Sequence, residues 1–256
     1  FPTRPPPFDV QGISDDVLID FTPELKAEAK EILSKYRTGP LYTPPVLMTD
    51  ELNGTIQMPG WGGGANWWGA AVDPETGMLY VPSFTSPIVV GLTAPDAARS
   101  NFKYIRGRSP GSFRLAGPRG LPLTKPPYGR ITAYDLTKGE IAWQRAHGDG
   151  IRQQIIDAGI PDPGPVGSSS STGPLLTKTL LFFGQGSRTS RGGAEQSANT
   201  AVLNAFDKKT GERIHSTPLP ERPSGTPMSY SVGDTQYIAM AWSGSGRSGL
   251  MSLALP

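Results

Sequence analysis

One turn signature, present three times, constrains the fold of this chain more than any other feature of its sequence. Alanine, an apolar or aromatic residue and aspartate are followed, after three further residues, by glycine, at 71–77, 133–139 and 205–211. The aspartate can accept hydrogen bonds from the backbone just ahead of it, and the glycine supplies a positive φ at the end of the turn. Because apolar runs flank each turn, each copy predicts a β-hairpin.

The predicted hairpins combine in pairs into four-stranded sheets over residues 61–256. Two such pairs are complete, and the last hairpin is followed by only one further strand. Serial four-stranded antiparallel sheets are typical of a β-propeller, in which each sheet forms one blade. The expected blades and their insertions lie at 66–146, 168–217 and 226–255, with insertions at 87–127 and 187–199.

The expected fold class is therefore all-β, a partial propeller of about three four-stranded antiparallel blades. Known propellers close a ring of about 4–8 blades, so a chain of this length would leave its terminal sheets with open faces and edges. We expect a fragment, or part of an assembly whose remaining blades complete the ring. A face-to-face β-sandwich is the alternative, because strand periodicity alone does not separate the two architectures.

Residues 1–60 have the composition of a Pro-rich connecting segment that contains one short helix. The pattern predicts this helix over 23–37, with Thr22 as N-cap and Pro23 at the first helical position. Gly39 is expected to supply the left-handed C-terminal cap. The residues that fall on one apolar face are Leu25, Ala29, Ile32, Leu33 and Tyr36.

Composition and charge exclude several classes of function. The net charge is only +2, and acidic and basic residues are interspersed, so we expect no nucleic-acid partner. The absence of cysteine excludes disulfides, thiolate metal sites and haem attachment through a C-x-x-C-H sequence. No apolar run reaches the ~18–20 residues of a membrane span, and no signal peptide is recognisable. The first residue is Phe1, which suggests a mature form, a cut-out or a partial reading frame.

A longer motif surrounds the second copy of the turn signature. Ala133 to Trp143 reads Ala-Tyr-Asp-Leu-Thr-Lys-Gly-Glu-Ile-Ala-Trp. This stretch resembles the tryptophan-docking motif of pyrroloquinoline-quinone (PQQ) dependent dehydrogenases, a family of eight-bladed propellers in which the tryptophan packs between neighbouring blades. Trp143 is therefore expected to be buried against a neighbouring blade. The third copy places His215 where the motif has tryptophan, which predicts weaker docking there and a structural rather than a catalytic role.

Three further stretches extend this resemblance over nearly the whole chain. Gly62 to Gly69 is similar to the family's Gly-rich segment ending in Asn-Trp, and Gly225 to Tyr230 is similar to its penultimate strand. Gly244-Ser245-Gly246 resembles the loop that closes the cofactor chamber. The resemblance is greatest to the quinoprotein glucose dehydrogenase branch, in which a similar Pro-rich segment with a helix precedes the Asn-Trp segment. It implies the C-terminal part of such an enzyme.

The resemblance implies oxidation of a sugar or alcohol hydroxyl by hydride transfer to PQQ, which is held together with Ca²⁺ in the central channel. Electrons would pass to ubiquinone or cytochrome c, and the enzyme would be periplasmic, with membrane association only through a region outside this chain. In this family the catalytic carboxylate and most Ca²⁺ ligands belong to earlier blades. We find no counterparts here, so no catalytic or metal-binding residue is assigned, and Asp73, Asp135 and Asp207 are interpreted as turn residues.

The candidate cofactor-binding residues are Asn66, Trp67, Gly244 and Gly246. The Asn66 amide offers both a donor and an acceptor, and Trp67 offers a ring face or an indole N–H. The two glycines would let the backbone approach a flat cofactor. Inter-blade packing is the alternative for Trp67, and a simple turn is the alternative for the glycines. A non-catalytic propeller scaffold for protein–protein interaction is the alternative function.

Overall fold

The structure is a computed structural model that describes residues 3–107, 115–168, 172–186, 201–244 and 246–254. The predicted insertion at 187–199 and Ser245 lie outside these residues. Within them the helices are α1 (Pro23–Leu33) and α2 (Arg152–Asp157). The strands are β1 (Gly12–Ile13), β2 (Gly39–Pro40), β3 (Val46–Leu47), β4 (Thr55–Gln57), β5 (Ala71–Asp73), β6 (Met78–Phe84), β7 (Ile88–Thr93), β8 (Ile105–Gly107), β9 (Gly129–Asp135), β10 (Glu140–Ala146), β11 (Pro174–Leu176), β12 (Leu180–Gln185), β13 (Val202–Asp207), β14 (Arg213–Pro218), β15 (Pro223–Val232), β16 (Thr235–Gly244) and β17 (Arg247–Ala254).

Three antiparallel sheets follow one another along the chain as blades. The first blade has the strand order β10-β9-β6-β5, the second β11-β12-β13-β14 and the third β15-β16-β17. The first strands of the three blades are neighbours, because β11 contacts both β5 and β15. This arrangement confirms an all-β partial propeller with two complete blades and a three-stranded last blade.

The first two blades share a core built around the docking tryptophan. Trp143 is 9% exposed, and its Nε1 donates a hydrogen bond to the backbone oxygen of Lys208 in the second blade, at 3.3 Å. A Cβ atom on Gly211 would lie 2.6 Å from the Trp143 ring, so the turn glycine also makes room for docking. The burial expected of Trp143 is confirmed. His215, at the equivalent position of the second blade, is exposed and docks nothing in the described residues.

The turn aspartates hold their hairpins together, and one of them also joins two blades. Asp135 and Asp207 each accept hydrogen bonds from two backbone N–H groups within their own turns. Asp73 accepts from the backbone of Glu75, and it also pairs with Lys208 Nζ of the second blade at 2.6 Å, with both side chains buried. These contacts agree with the structural interpretation of all three aspartates.

The first helix is shorter than the pattern predicts. Thr22 does cap it, since its hydroxyl oxygen accepts from the backbone N–H of Leu25 at 3.3 Å. The helix ends at Leu33 instead of residue 37, and Gly39 is part of β2 and not a helix cap. The reason is competition from strand pairing, because Arg37 exchanges backbone hydrogen bonds with Gly54 and Ile56. A second short helix, α2, which the sequence did not indicate, follows the first blade. No helix of the described residues is long and apolar enough to cross a bilayer.

A fourth sheet joins the N-terminal segment to the insertion of the first blade. Strand β7 pairs in parallel with β3 and antiparallel with β4 and β8. This sheet and α1 enclose a separate core. The N-terminal segment and the described residues of the insertion at 87–127 therefore form a packed unit and not only a connecting segment and a loop. Its fully buried side chains include Leu18, Ile19, Leu25, Ile56, Val89 and Leu123.

The first described residues of the chain lie across the first blade. The Tyr134 hydroxyl donates to the backbone oxygen of Pro6 at 2.7 Å, and Gln144 donates to that of Phe8 at 3.1 Å. Asp9 forms an ion pair with Arg130 of β9 at 2.9 Å, with both side chains almost fully buried. The face of the first blade that points away from the second is thus partly covered by residues of the same chain.

Candidate functional site

A short turn in front of β5 places Asn66 and Trp67 at the entrance to the first blade. Asn66 shapes this turn, because its Nδ2 donates to the backbone oxygen of Gly62 at 3.3 Å and its Oδ1 accepts from the Trp67 N–H at 2.7 Å. One amide hydrogen and part of the acceptor capacity of Asn66 stay available. The residue can therefore hold the loop and still bind a ligand.

Trp67 presents its whole ring system to solvent. The side chain is 99% exposed, so the alternative that it packs between blades does not hold within the described residues. An indole of this size normally buries much of its surface in a core or an interface. A fully exposed indole beside a partly free amide is chemically suited to stack on a flat aromatic ligand that carries polar oxygens.

The same loop extends over the first strands of the other two blades. The backbone oxygen of Trp68 accepts a hydrogen bond from Thr226 Oγ1 of the third blade at 3.3 Å. Gly173, just before β11, packs so closely against this oxygen that a Cβ atom there would clash with it. The backbone N–H of Gly173 in turn donates to Gly225 at 3.1 Å. The loop of Asn66 and Trp67 therefore lies where the entrances of all three blades meet.

Gly244 and Gly246 flank the turn between β16 and β17, and both have local reasons to be glycine. A Cβ atom on Gly244 would overlap the Glu221 carboxylate. Gly246 has a φ of +75° and open space where a Cβ would stand. The hydrogen bonds of the described residues do not connect either glycine with Asn66 or Trp67. The cofactor-binding assignment of the two glycines stays a prediction.

A narrow cleft opens beside Asn66 and extends between the first and second blades. Its wall combines loop residues with polar and aromatic side chains that sequence reasoning did not single out. The lining residues are Gly64, Asn66, Trp68, Gly69, Pro82, Ser83, Phe84, Arg130, His147, Ser168, Thr172 and Phe183. Single serine, arginine and histidine residues at strand ends carry no spacing signal, so only the contacts between blades reveal them.

Arg130 is the charged group of this cleft, and it is fully engaged in holding the N-terminal segment. Besides the ion pair with Asp9, it donates to the backbone oxygens of Phe8 at 3.0 Å and Pro127 at 2.8 Å and to the Thr85 hydroxyl. Gly64 packs onto the same group, since a Cβ there would lie 3.2 Å from Asp9 Oδ2. Asp9 and Arg130 thus pack against the Gly-rich segment at Gly64, and the Asp9 carboxylate neutralises the Arg130 guanidinium.

Burial and hydrogen bonds shift the pKa values of three further groups of the first blade. Burial lowers the pKa of His147 to about 3, although the backbone of Gly184 acts in the opposite direction. Hydrogen bonds from Lys208 and Thr76 lower the pKa of Asp73 to about 2. Burial raises the pKa of Tyr80 to about 12, with further contributions from Asp73 and Asp207. Between pH 5 and 8 these groups therefore keep one charge state each.

Among the described residues, no three His, Cys, Asp or Glu side chains are grouped as a metal site would need.

Three serial antiparallel blades whose first strands are neighbours define this chain as part of a propeller. The chain matches the family model of the PQQ glucose/ethanol/alcohol dehydrogenase β-propeller domain over residues 1–238. It therefore belongs to this family of quinoprotein dehydrogenases.

Curated relatives agree with the family assignment. The glycerol dehydrogenase large subunit of Gluconobacter thailandicus is 28% identical over 211 residues, which cover 72% of this chain and 27% of that protein. Quinoprotein glucose dehydrogenase A of Acinetobacter calcoaceticus is 26% identical over 242 residues, covering 84% of this chain and 27% of that protein. The chain thus spans about a quarter of the length of the relatives it matches.

A solved structure resembles part of the chain. The quinohemoprotein alcohol dehydrogenase of Comamonas testosteroni superimposes with a TM-score of 0.45 at 18% identity, over 80% of this chain and 26% of that one.

Proposed function

We propose that this chain is the C-terminal part of a PQQ-dependent dehydrogenase that oxidises the hydroxyl group of a sugar or an alcohol. The observation that carries the proposal is the exposed indole of Trp67 beside the partly free amide of Asn66, where the entrances of the three blades meet. Family membership supports it, as do the names of the relatives, which include glycerol, glucose and quinate/shikimate dehydrogenases.

The donor and acceptor groups of the turn fit PQQ, which is planar, aromatic and rich in oxygen. The Trp67 ring would lie against one face of the cofactor, and the remaining Asn66 N–H would donate to one of its oxygens. PQQ, when bound, supplies the group that accepts hydride from the substrate. The chain's own contribution is to bind and orient the cofactor on a turn that Gly62 and Thr226 hold in place.

The third blade supports the proposal that further blades complete the ring. Ile238 and Met240 face the second blade and are buried, whereas the opposite face of the same sheet exposes Met228, Val232 and Leu250. A large exposed apolar face of this kind marks an interface. Remaining blades of a parent chain would cover it, and they would also supply the catalytic carboxylate and most ligands of a Ca²⁺ ion.

The parent protein would act in the periplasm, where ubiquinone or cytochrome c would accept its electrons. These parts of the proposal follow from the family. The substrate stays at the level of a sugar or alcohol hydroxyl, because the relatives differ in what their names say they oxidise.

A dye-linked dehydrogenase assay of the complete protein that carries this chain tests the proposal. The protein is loaded with PQQ and Ca²⁺ and offered glucose, glycerol, quinate, ethanol and 1-butanol in turn. We expect dye reduction with at least one of these classes, and none when PQQ is omitted. Absence of PQQ-dependent turnover together with absence of PQQ binding would favour the scaffold function and contradict the proposal.

A further inference from the structure

His147 is a buried group that neither the docking motif nor the Asn66–Trp67 turn explains. It follows β10, is 1% exposed, and packs edge-on against Phe183 of the second blade with ring centroids 4.2 Å apart. Its backbone is satisfied independently, because its N–H donates to Gly129 at 2.9 Å and its carbonyl accepts from Ser168 at 2.6 Å. If the position served only packing, phenylalanine or leucine would fill it without burying polar atoms.

The imidazole has polar atoms that the described residues do not fully pair. Neither Nδ1 nor Nε2 has a hydrogen-bond partner among the described residues, although almost all buried polar groups in proteins do. The backbone of Gly184 offers the ring a hydrogen bond that raises the pKa of His147, against the larger effect of burial. A carbonyl could in any case accept from only one of the two ring nitrogens. At least one nitrogen therefore needs a partner from outside the described residues.

The cleft that His147 lines fits a neutral partner. Its charged residue, Arg130, is already neutralised by Asp9 at 2.9 Å, so the cleft has no net charge to attract an ion. Ser83 Oγ, which belongs to another lining residue, is also buried without a partner. Because burial keeps the imidazole neutral, the ring nitrogen without a partner is either a donor or an acceptor, and a hydroxyl group can pair with either.

We propose that this cleft is a binding site for a neutral hydroxyl-bearing molecule, either water or a small polyol, held by a ring nitrogen of His147. Asn66 lines the same cleft, so the bound molecule would lie in one cavity with that residue. Phe183 forms the apolar wall of the site, and the Arg130 network closes it on the side of the N-terminal segment. The contacts of His147 do not involve Trp67, but the cleft shares Asn66 with the proposed PQQ site, so the test is run without cofactor.

Thermal unfolding of the complete protein without cofactor tests the proposal. His147→Phe removes the partner of the bound molecule, and we expect Tm to fall by roughly 2–4 °C. His147→Gln, which keeps a donor and an acceptor, should restore most of this loss. The matched control is His215→Phe at the exposed histidine, which should leave Tm unchanged. If the cleft is empty, His147→Phe removes unpaired polar atoms and Tm stays level or rises, which would overturn the proposal.

Two further measurements distinguish water from a polyol as the bound molecule, and they keep the test valid if the His147→Phe variant does not fold. Glycerol should raise Tm of the unmodified protein more than that of His147→Phe if a polyol binds, and by the same increment if the molecule is water. An experimental density map of the unmodified protein should show a peak about 2.7–3.2 Å from a ring nitrogen of His147. An empty cleft in that map would overturn the proposal whatever the melting curves show.

Discussion

Two tryptophans of this chain have opposite roles that their side-chain environments explain. Trp143 is buried between blades with its indole N–H bonded to the backbone oxygen of Lys208, and Trp67 is almost fully exposed on the turn before β5. Burial predicts that the first contributes to stability and the second does not. The sequence around Trp67 could not have predicted its exposure, because an Asn-Trp pair after glycines suits either inter-blade packing or ligand binding.

Replacing the two tryptophans separately tests these roles. Trp143→Ala should lower the free energy of unfolding by about 3–5 kcal/mol, since it removes a packed indole. Trp67→Ala is the matched control and should change it by less than about 0.5 kcal/mol. Denaturant unfolding of both variants gives the comparison. Equal stabilities for the two variants would contradict the docking role of Trp143.

His147 makes stability depend on pH in a direction that its environment determines. Burial holds its pKa in the folded state at about 3, below the ordinary value of 6.5, so the folded state excludes a proton that the unfolded state binds. The stabilisation is complete above pH 6.5 and is lost as the pH falls toward 3. Between about pH 6 and pH 4, unfolding free energy should drop by up to about 1.4 kcal/mol per pH unit.

Urea titrations at several pH values measure this slope in the unmodified protein and in His147→Phe. The variant lacks the titrating group, so its profile should be flatter above about pH 4, where the aspartates with lowered pKa are still ionised. A slope that is the same in both proteins would show that His147 is not responsible for it.

At the scale of elements, local signals predicted the hairpins and missed the fourth sheet. The turn signature needs only seven consecutive residues, and each copy forms the hairpin it indicates. Strand β3 has two residues, and its parallel partner β7 lies more than forty positions further on, with Val46 opposite Gly91. Two residues are too few to show periodicity, so only the assembled core could reveal this pairing.

The contact between the first and second blades also involves an ion pair that no local pattern indicates. Lys208 reaches back to Asp73 at 2.6 Å, where both side chains are buried. Lys208→Met should therefore lower Tm, because it leaves the Asp73 carboxylate without its main partner. The neighbouring Lys209 is exposed, so Lys209→Met is the matched control and should leave Tm unchanged. Thermal melts of both variants measure the difference, and equal Tm values would show that the pair adds no stability.

At the scale of the whole molecule, the three blades form an arc that ends in an exposed apolar face. The spacing of the turn signatures predicted the series of blades. The resemblance to quinoproteins predicted membership of the PQQ dehydrogenase family, which the family model shows. The sequence placed the candidate cofactor residues Asn66 and Trp67 only as far as the turn before β5. The cleft with His147 and Arg130 could not, because its walls come from two blades and the N-terminal segment.

The exposed face predicts how the isolated chain behaves. Leu250→Asp should reduce self-association of the 256-residue chain in light scattering, because Leu250 is 82% exposed on that face. Ile238→Asp, on the buried side of the same sheet, should instead unfold the third blade.

The isolated chain should show no dye-linked dehydrogenase activity with PQQ and Ca²⁺, since we assign the catalytic carboxylate to other blades. Turnover of glucose or a simple alcohol by this chain alone would contradict that assignment.

The central claim is that Asn66 and Trp67 bind PQQ, and equilibrium titration of the complete protein with PQQ measures it most directly. Asn66→Ala should weaken binding by about 1–3 kcal/mol, which is roughly a 5- to 150-fold rise in Kd, and Trp67→Ala should weaken it about tenfold. Asn101→Ala and Phe102→Ala, at exposed positions on the β7–β8 connection, are the matched controls and should leave Kd unchanged. A Kd for Asn66→Ala and Trp67→Ala equal to that of the unmodified protein would contradict the assignment of the cofactor to this turn.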